Sequence, residues 1–108
     1  MSITLADFDE VVHLDFEFQA KNGGKPKPVC CVAIEQNSGK VYRCWLDGES
    51  PPIEPPFPHG PGVLTVAYFA LAELGGYRAL GWPSPKRGID LYAEFRAATN
   101  GPPTRSSL

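Results

Sequence analysis

Two carboxylates two positions apart, Asp15 and Glu17, interrupt the apolar run Val12-His13-Leu14-Asp15-Phe16-Glu17-Phe18. Side chains alternate between faces along a strand, so His13, Asp15 and Glu17 share one face while Val12, Leu14, Phe16 and Phe18 share the other. Like charges held that close repel unless water, a hydrogen-bond donor or a cation offsets them. A divalent metal is the sharpest of these options; a polar strand face in water is the plain one. The pair alone does not choose between them.

Two later acids, Glu73 and Asp90, join them as candidates. Glu73 lies in Ala70-Leu71-Ala72-Glu73-Leu74, a run of good helix formers. Asp90 precedes Leu91-Tyr92-Ala93-Glu94, where a carboxylate suits a helix N-cap by accepting a backbone N–H of the first turn.

These residues need elements to hold them. Val11 to Phe18 reads as a central strand, apolar on one face and partly so on the other. Gln19 to Pro28 is a loop, and Val29 to Glu35 and Lys40 to Leu46 read as a hairpin around Gln-Asn-Ser-Gly. Six prolines between Asp47 and Gly62 exclude a helix or central strand there and predict a stiff surface loop, with His59 facing solvent. A short strand over Val63 to Ala67 precedes a helix from Tyr68 to about Leu80. Within that helix Gly75 and Gly76 predict a break or the close approach of another backbone. Gly81 to Pro85 is a turn, Arg87 to Asp90 a short strand and Leu91 to Ala98 a helix, with Asn100-Gly101 closing it and an unstructured tail over 102–108. Three antiparallel strands followed by alternating helices and strands predict an α/β fold with a mixed sheet.

Length and composition narrow the reading. At 108 residues the chain makes one small domain or part of a larger one. Ten Lys and Arg against twelve Asp and Glu give a formal net charge of -2, which excludes the broad basic field of a stand-alone nucleic-acid binder. A nuclease with an acidic centre remains compatible. Cys30, Cys31 and Cys44 are odd in number and read as reduced, apolar-like side chains. Trp45 and Trp82 read as hairpin or core packing rather than base-stacking platforms. No apolar run approaches membrane-spanning length and the N-terminus carries no targeting pattern, so a cytoplasmic protein without membrane contact is expected.

With these residues in place, the chain resembles the DEDD exonucleases of the ribonuclease H-like fold. It is most similar to the proofreading-type exonuclease domains of phage and bacterial polymerases of the DNA polymerase I type. Asp15-Phe16-Glu17 matches the first motif, Asp-x-Glu on the first strand. The longer stretch from Val66 through Leu80-Gly81-Trp82-Pro83-Ser84-Pro85 to Ile89-Asp90-Leu91-Tyr92-Ala93-Glu94-Phe95-Arg96 and Thr99-Asn100-Gly101 matches a pattern of the phage polymerase group. The resemblance implies phosphodiester hydrolysis at DNA or RNA 3′ ends with two Mg²⁺ or Mn²⁺ ions. In that scheme Asp15 bridges the metals, Glu17 binds the metal that orients the attacking water, and a helix acid closes the coordination of the second metal. Glu73 is the natural second-motif acid, although the family usually has Asp there, and Asp90 is the other acid within the region. Phe16 and Phe18, like the tryptophans, read first as packing, and as aromatic residues flanking the acids they are the candidates for stacking a terminal base.

The family's third motif, a Tyr or His with an Asp a few residues beyond, has no counterpart up to Leu108. The expectation is therefore a partial exonuclease-like domain over residues 1–101, inactive or weakly active alone. Two alternatives accompany it: a nuclease completed by a polymerase, another chain or a symmetric dimer, and a small interaction module that uses the proline loop as its contact surface.

Overall fold

The computed structural model describes residues 5–19, 26–46, 51–68 and 70–99. After a 3₁₀ turn at Leu5–Asp7 come β1 (Glu10–Gln19), β2 (Lys27–Glu35), β3 (Val41–Trp45), β4 (Val63–Ala67), α1 (Ala70–Leu80), β5 (Gly88–Asp90) and α2 (Leu91–Thr99). The strands form one five-stranded mixed sheet in the order β3-β2-β1-β4-β5. β1 is its centre, antiparallel to β2 and parallel to β4, and β5 extends the parallel half. The elements sit where the sequence places them, to within two residues at each boundary. Asn100, Gly101 and the tail over 102–108 lie outside the described residues, as do positions 47–50 of the proline loop.

The alternation of β1 decides the layers. Val12, Leu14 and Phe16 are buried against Cys31, Ala33, Val63, Tyr77 and Trp82, whereas His13, Asp15 and Glu17 are exposed on the opposite face. Val11, Leu64 and Val66 form a smaller cluster with Phe8 and Ile89. Cys31 belongs to the core, and burial, with Cys44 and Cys30 adding, pushes its thiol up to about 12. All three cysteines are free.

The main core is aromatic. The Tyr77 ring lies 5.9 Å from Phe16, 6.5 Å from Phe57 and 5.6 Å from Trp82, in edge-on arrangements that favour the ring quadrupoles. α1 ends in a Schellman cap. Gly81 takes φ 72°, its N–H donates to the Arg78 carbonyl oxygen, and the Trp82 N–H donates to the Tyr77 carbonyl oxygen. The apolar contact that accompanies such a cap is the Tyr77–Trp82 pair itself. The proline loop is fastened to the same cluster, because Phe57 is buried and the Trp82 Nε1–H donates to the Pro52 carbonyl oxygen at 2.9 Å. His59 is exposed.

Trp45 departs from the expectation of packing. β3 alternates so that Tyr42 and Cys44 face the core, and Trp45 falls on the outer face at 74% exposure.

Glu35 is a buried carboxylate to which the sequence reading gave no role. It accepts the Val11 N–H (3.0 Å) and the Ser38 N–H (2.8 Å), tying the start of β1 to the β2–β3 turn. These bonds, the one from Val11 first, hold its carboxyl down at about 2.

Gly75 and Gly76 do not break α1. A Cβ at Gly76 would lie 3.2 Å from three atoms of the Phe16 ring, so the close approach is to a side chain of β1 rather than to another backbone. At Gly75 a Cβ meets nothing within 4 Å. Gly75→Ala is therefore expected to raise unfolding free energy by about 0.5–1 kcal/mol through helix propensity. Gly76→Ala is expected to lower it by about 1 kcal/mol, because the Phe16 ring is hemmed in and cannot yield. Urea denaturation of the two variants checks the contrast, and equal effects would contradict the contact.

Candidate acidic site at the end of the central strand

Glu73, Gly76, Tyr77 and Leu80 are spaced i, i+3, i+4 and i+7, so they share the face of α1 turned to the sheet. Tyr77 and Leu80 fill the core, Gly76 lets the helix approach, and Glu73 is carried to β1 one turn before Tyr77. The β1–β4 ladder ends at the pair Leu14 and Ala67. Phe16 therefore lies past the reach of β4, with a backbone N–H that no strand satisfies on that side. The Glu73 Oε2 accepts it at 3.0 Å. A buried N–H without an acceptor is unfavourable, and the chain supplies a carboxylate where the neighbouring strand stops.

The consequence is electrostatic. Glu73 is buried and its carboxylate meets the backbone between Asp15 and Glu17. Burial raises its pKa from the ordinary 4.5 to about 7, the bond from Phe16 opposes the shift, and the negative charges of Asp15 and Glu17 add to it. An acid poised at neutral pH by burial and like charge beside two exposed acids is the kind of group that recurs at functional sites. Asp15, Glu17 and Glu73 all offer carboxylate oxygen, the ligand type of hard divalent cations. Among the described residues, no three Asp, Glu, His or Cys side chains are already gathered into a metal-ligand cluster.

The other predicted residues fall elsewhere. Asp90 is buried at the end of β5, where its Oδ1 accepts the N–H groups of Tyr92 (2.9 Å) and Ala93 (3.3 Å) and so caps α2. In register it lies beside Ala67, which lies beside Leu14. That separates Asp90 from β1 by two strand spacings, about 10 Å. Phe16 is 4% exposed, with Phe18, Tyr77 and Trp82 around its ring. It is a core residue with no face open to a base, because the even positions of β1 point toward α1. Phe18 is half-buried against Phe16, their rings 5.9 Å apart.

Sequence reasoning passed over the aromatic group at the carboxyl end of the parallel strands. Tyr68, one residue past β4, is exposed, and its ring lies 5.8 Å from that of Tyr92, over which the Arg96 guanidinium sits at 5.8 Å. Both tyrosines lie in the stretch that carries the longer resemblance, but ring spacing across a strand and a helix is not readable from sequence.

The two displaced carboxyl groups give opposite limbs to the stability profile. Glu35 has a depressed pKa, so its contribution is present above about 4.5 and is lost as pH falls toward 2. Glu73 binds its proton more tightly when folded, so stability falls as pH rises from about 4.5 through 7 and then levels off. Thermal unfolding of the metal-free protein across pH is expected to peak near pH 5, and Glu73→Gln to flatten the neutral limb while sparing the acid one. A neutral limb unchanged in that variant would contradict the assignment.

Compared with known proteins, the chain matches no family model, no curated protein and no solved structure.

Proposed function

We propose that this chain is the acidic core of a metal-dependent 3′ to 5′ exonuclease domain of the DEDD type with a ribonuclease H-like fold, acting on DNA or RNA 3′ ends. One observation carries the reading: α1 delivers Glu73 to the backbone of Phe16, between the two acids of an Asp-x-Glu motif on the central strand. The architecture agrees with it, since three antiparallel strands are followed by parallel strands alternating with helices and the motif lies at the carboxyl end of β1.

In this reading Asp15 and Glu17, which leave the sheet on the face away from α1, would hold a Mg²⁺ or Mn²⁺ ion, and Glu73 would close the site around the edge of β1 that β4 leaves open. The ion supplies an activated water at neutral pH and offsets charge on the leaving oxygen. Glu73, poised near neutrality, releases its proton when positive charge arrives, so cation binding is coupled to proton release. Its bond to the Phe16 N–H keeps the carboxylate at the strand end. Asp15, Glu17 and Glu73 are three of the four acids such a site uses. Turnover by these residues alone is therefore slow, and a fourth acid with a water-positioning Tyr or His, on a polymerase or another chain, raises it.

Millimolar Mn²⁺ or Mg²⁺ is expected to raise the midpoint of thermal unfolding by about 5 °C at pH 7.5, and Asp15→Asn to abolish the rise. No shift in the unsubstituted protein at about ten millimolar would count against a cation site. Incubated with a 5′-labelled oligonucleotide, the protein is expected to shorten it slowly from the 3′ end. Shortening that survives Asp15→Asn would assign the activity to something else.

A further inference from the structure

Among the described residues, β3 ends the sheet on one side and β5 on the other. β5 has three residues, too few to offer much of an edge, whereas β3 runs for five, Val41-Tyr42-Arg43-Cys44-Trp45. The backbone of β3 is divided between its two sides. The Glu35 N–H donates to the Lys40 carbonyl oxygen and the Leu46 N–H to the Val29 carbonyl oxygen, and the register between them runs without a shift, so the even residues turn their backbone groups to β2. Val41, Arg43 and Trp45 therefore turn their N–H and C=O groups out from the edge, where no described strand meets them. Sheet edges are ordinarily blunted by proline, a bulge or an inward charge. β3 has no proline, no register shift and a single charge, Arg43, which lies on the outer face.

The side chains along that edge decide what can pair with it. On the outer face Val41 is 40% exposed and Trp45 74%, with the Arg43 guanidinium between them. Any extended strand would satisfy the backbone, but β3 is complementary to itself. A two-fold axis relating the two strands of one ladder runs them antiparallel, and three positions of the axis pair two or more of the open residues. An axis at Arg43 sets two guanidiniums directly opposite each other, and one at Tyr42 leaves Trp45 beyond the paired residues. An axis at Cys44 sets Arg43 opposite the second copy's Trp45, twice over, and brings Val41 and Trp45 of the second copy onto the diagonals of each indole. Every outer-face residue of β3 then meets a partner, and each guanidinium lies against an indole as a cation–π pair.

We propose that β3 pairs with β3 of a second copy about a two-fold axis at Cys44, joining the two sheets edge to edge, with Arg43 of each copy against Trp45 of the other. Two-fold symmetry closes the contact, so the assembly is a dimer and not a fibre. The interface uses none of Asp15, Glu17 and Glu73, and it goes beyond the exonuclease reading without resting on it.

Sedimentation velocity over about 1 to 500 µM protein, with reductant present, is the test. The reductant keeps Cys44, which meets its own copy across the axis, from forming a disulfide. The expected result is a single monomer–dimer equilibrium, with a blue shift of tryptophan emission along the same concentration curve. Trp82 is 4% exposed with its indole N–H bonded, so the shift reports Trp45. Trp45→Lys is expected to stay monomeric throughout, and Arg43→Thr to weaken the dimer roughly tenfold, two cation–π pairs being lost while strand propensity is kept. Both side chains are exposed, and thermal midpoints equal to that of the unsubstituted protein at the lowest concentration verify that the variants fold. A monomer at every concentration, growth past the dimer, or a dimer that persists in Trp45→Lys would each overturn the proposal. So would a dimer strengthened by Arg43→Thr, the result expected of facing guanidiniums. Asp15→Asn is expected to leave the dimer intact whether or not Mn²⁺ shifts the unfolding midpoint, so failure of the interface and failure of the cation site are separate results.

Discussion

The contact between α1 and β1 at Phe16 is the constraint on which the rest of the molecule depends. It has two parts one turn apart on the helix: the bare Cα of Gly76 against the Phe16 ring, and the Glu73 carboxylate on the Phe16 N–H. Neither is independent of the other, since a helix held farther out by a methyl group would carry Glu73 away from the strand. The aromatic cluster supplies the force that keeps them engaged. Phe16, Phe57, Tyr77 and Trp82 come from a strand, the proline loop, a helix and the turn after it, so the core and the site share one set of contacts.

Charge follows from that packing. Asp15 and Glu17 are exposed because odd positions of β1 face away from α1, and a solvated pair of carboxylates is tolerable by itself. Glu73 alters the balance by entering from the buried side at the point where β4 stops. Its raised proton affinity comes first from burial, with the charges of Asp15 and Glu17 adding to it. Glu35 is the useful contrast, another buried carboxylate whose two backbone donors make the charged form comfortable. One acid is a structural clamp at every pH above the acid range, and the other is held near its titration point.

Local signals made most of the fold legible. Alternation in Val12 to Phe18, the Asn-Ser-Gly turn and the helix formers after Tyr68 each act over a few residues, and each element formed where they point. Pairing between distant segments was less readable. Nothing in Val63 to Ala67 announces a parallel partner for β1 that ends at Leu14, and that early end exposes the Phe16 N–H to Glu73. Gly76 was visible as a close approach but not its object. Trp45 was misread because an aromatic residue in a hairpin usually packs, and only the register of β3, with Tyr42 and Cys44 turned inward, puts it on the open face. Asp90 carried a local signature for capping, and its bonds to Tyr92 and Ala93 are those of a cap.

The central claim is that Asp15, Glu17 and Glu73 act together as one cation site at the end of β1. Paramagnetic broadening tests it without reference to activity or stability. Substoichiometric Mn²⁺ added to the ¹⁵N-labelled protein is predicted to broaden the backbone amides of residues 15–17 and of Glu73 first, leaving those around Glu35 and the exposed Glu94 of α2 sharp. Uniform broadening over all acidic positions, or broadening centred away from β1, would contradict it.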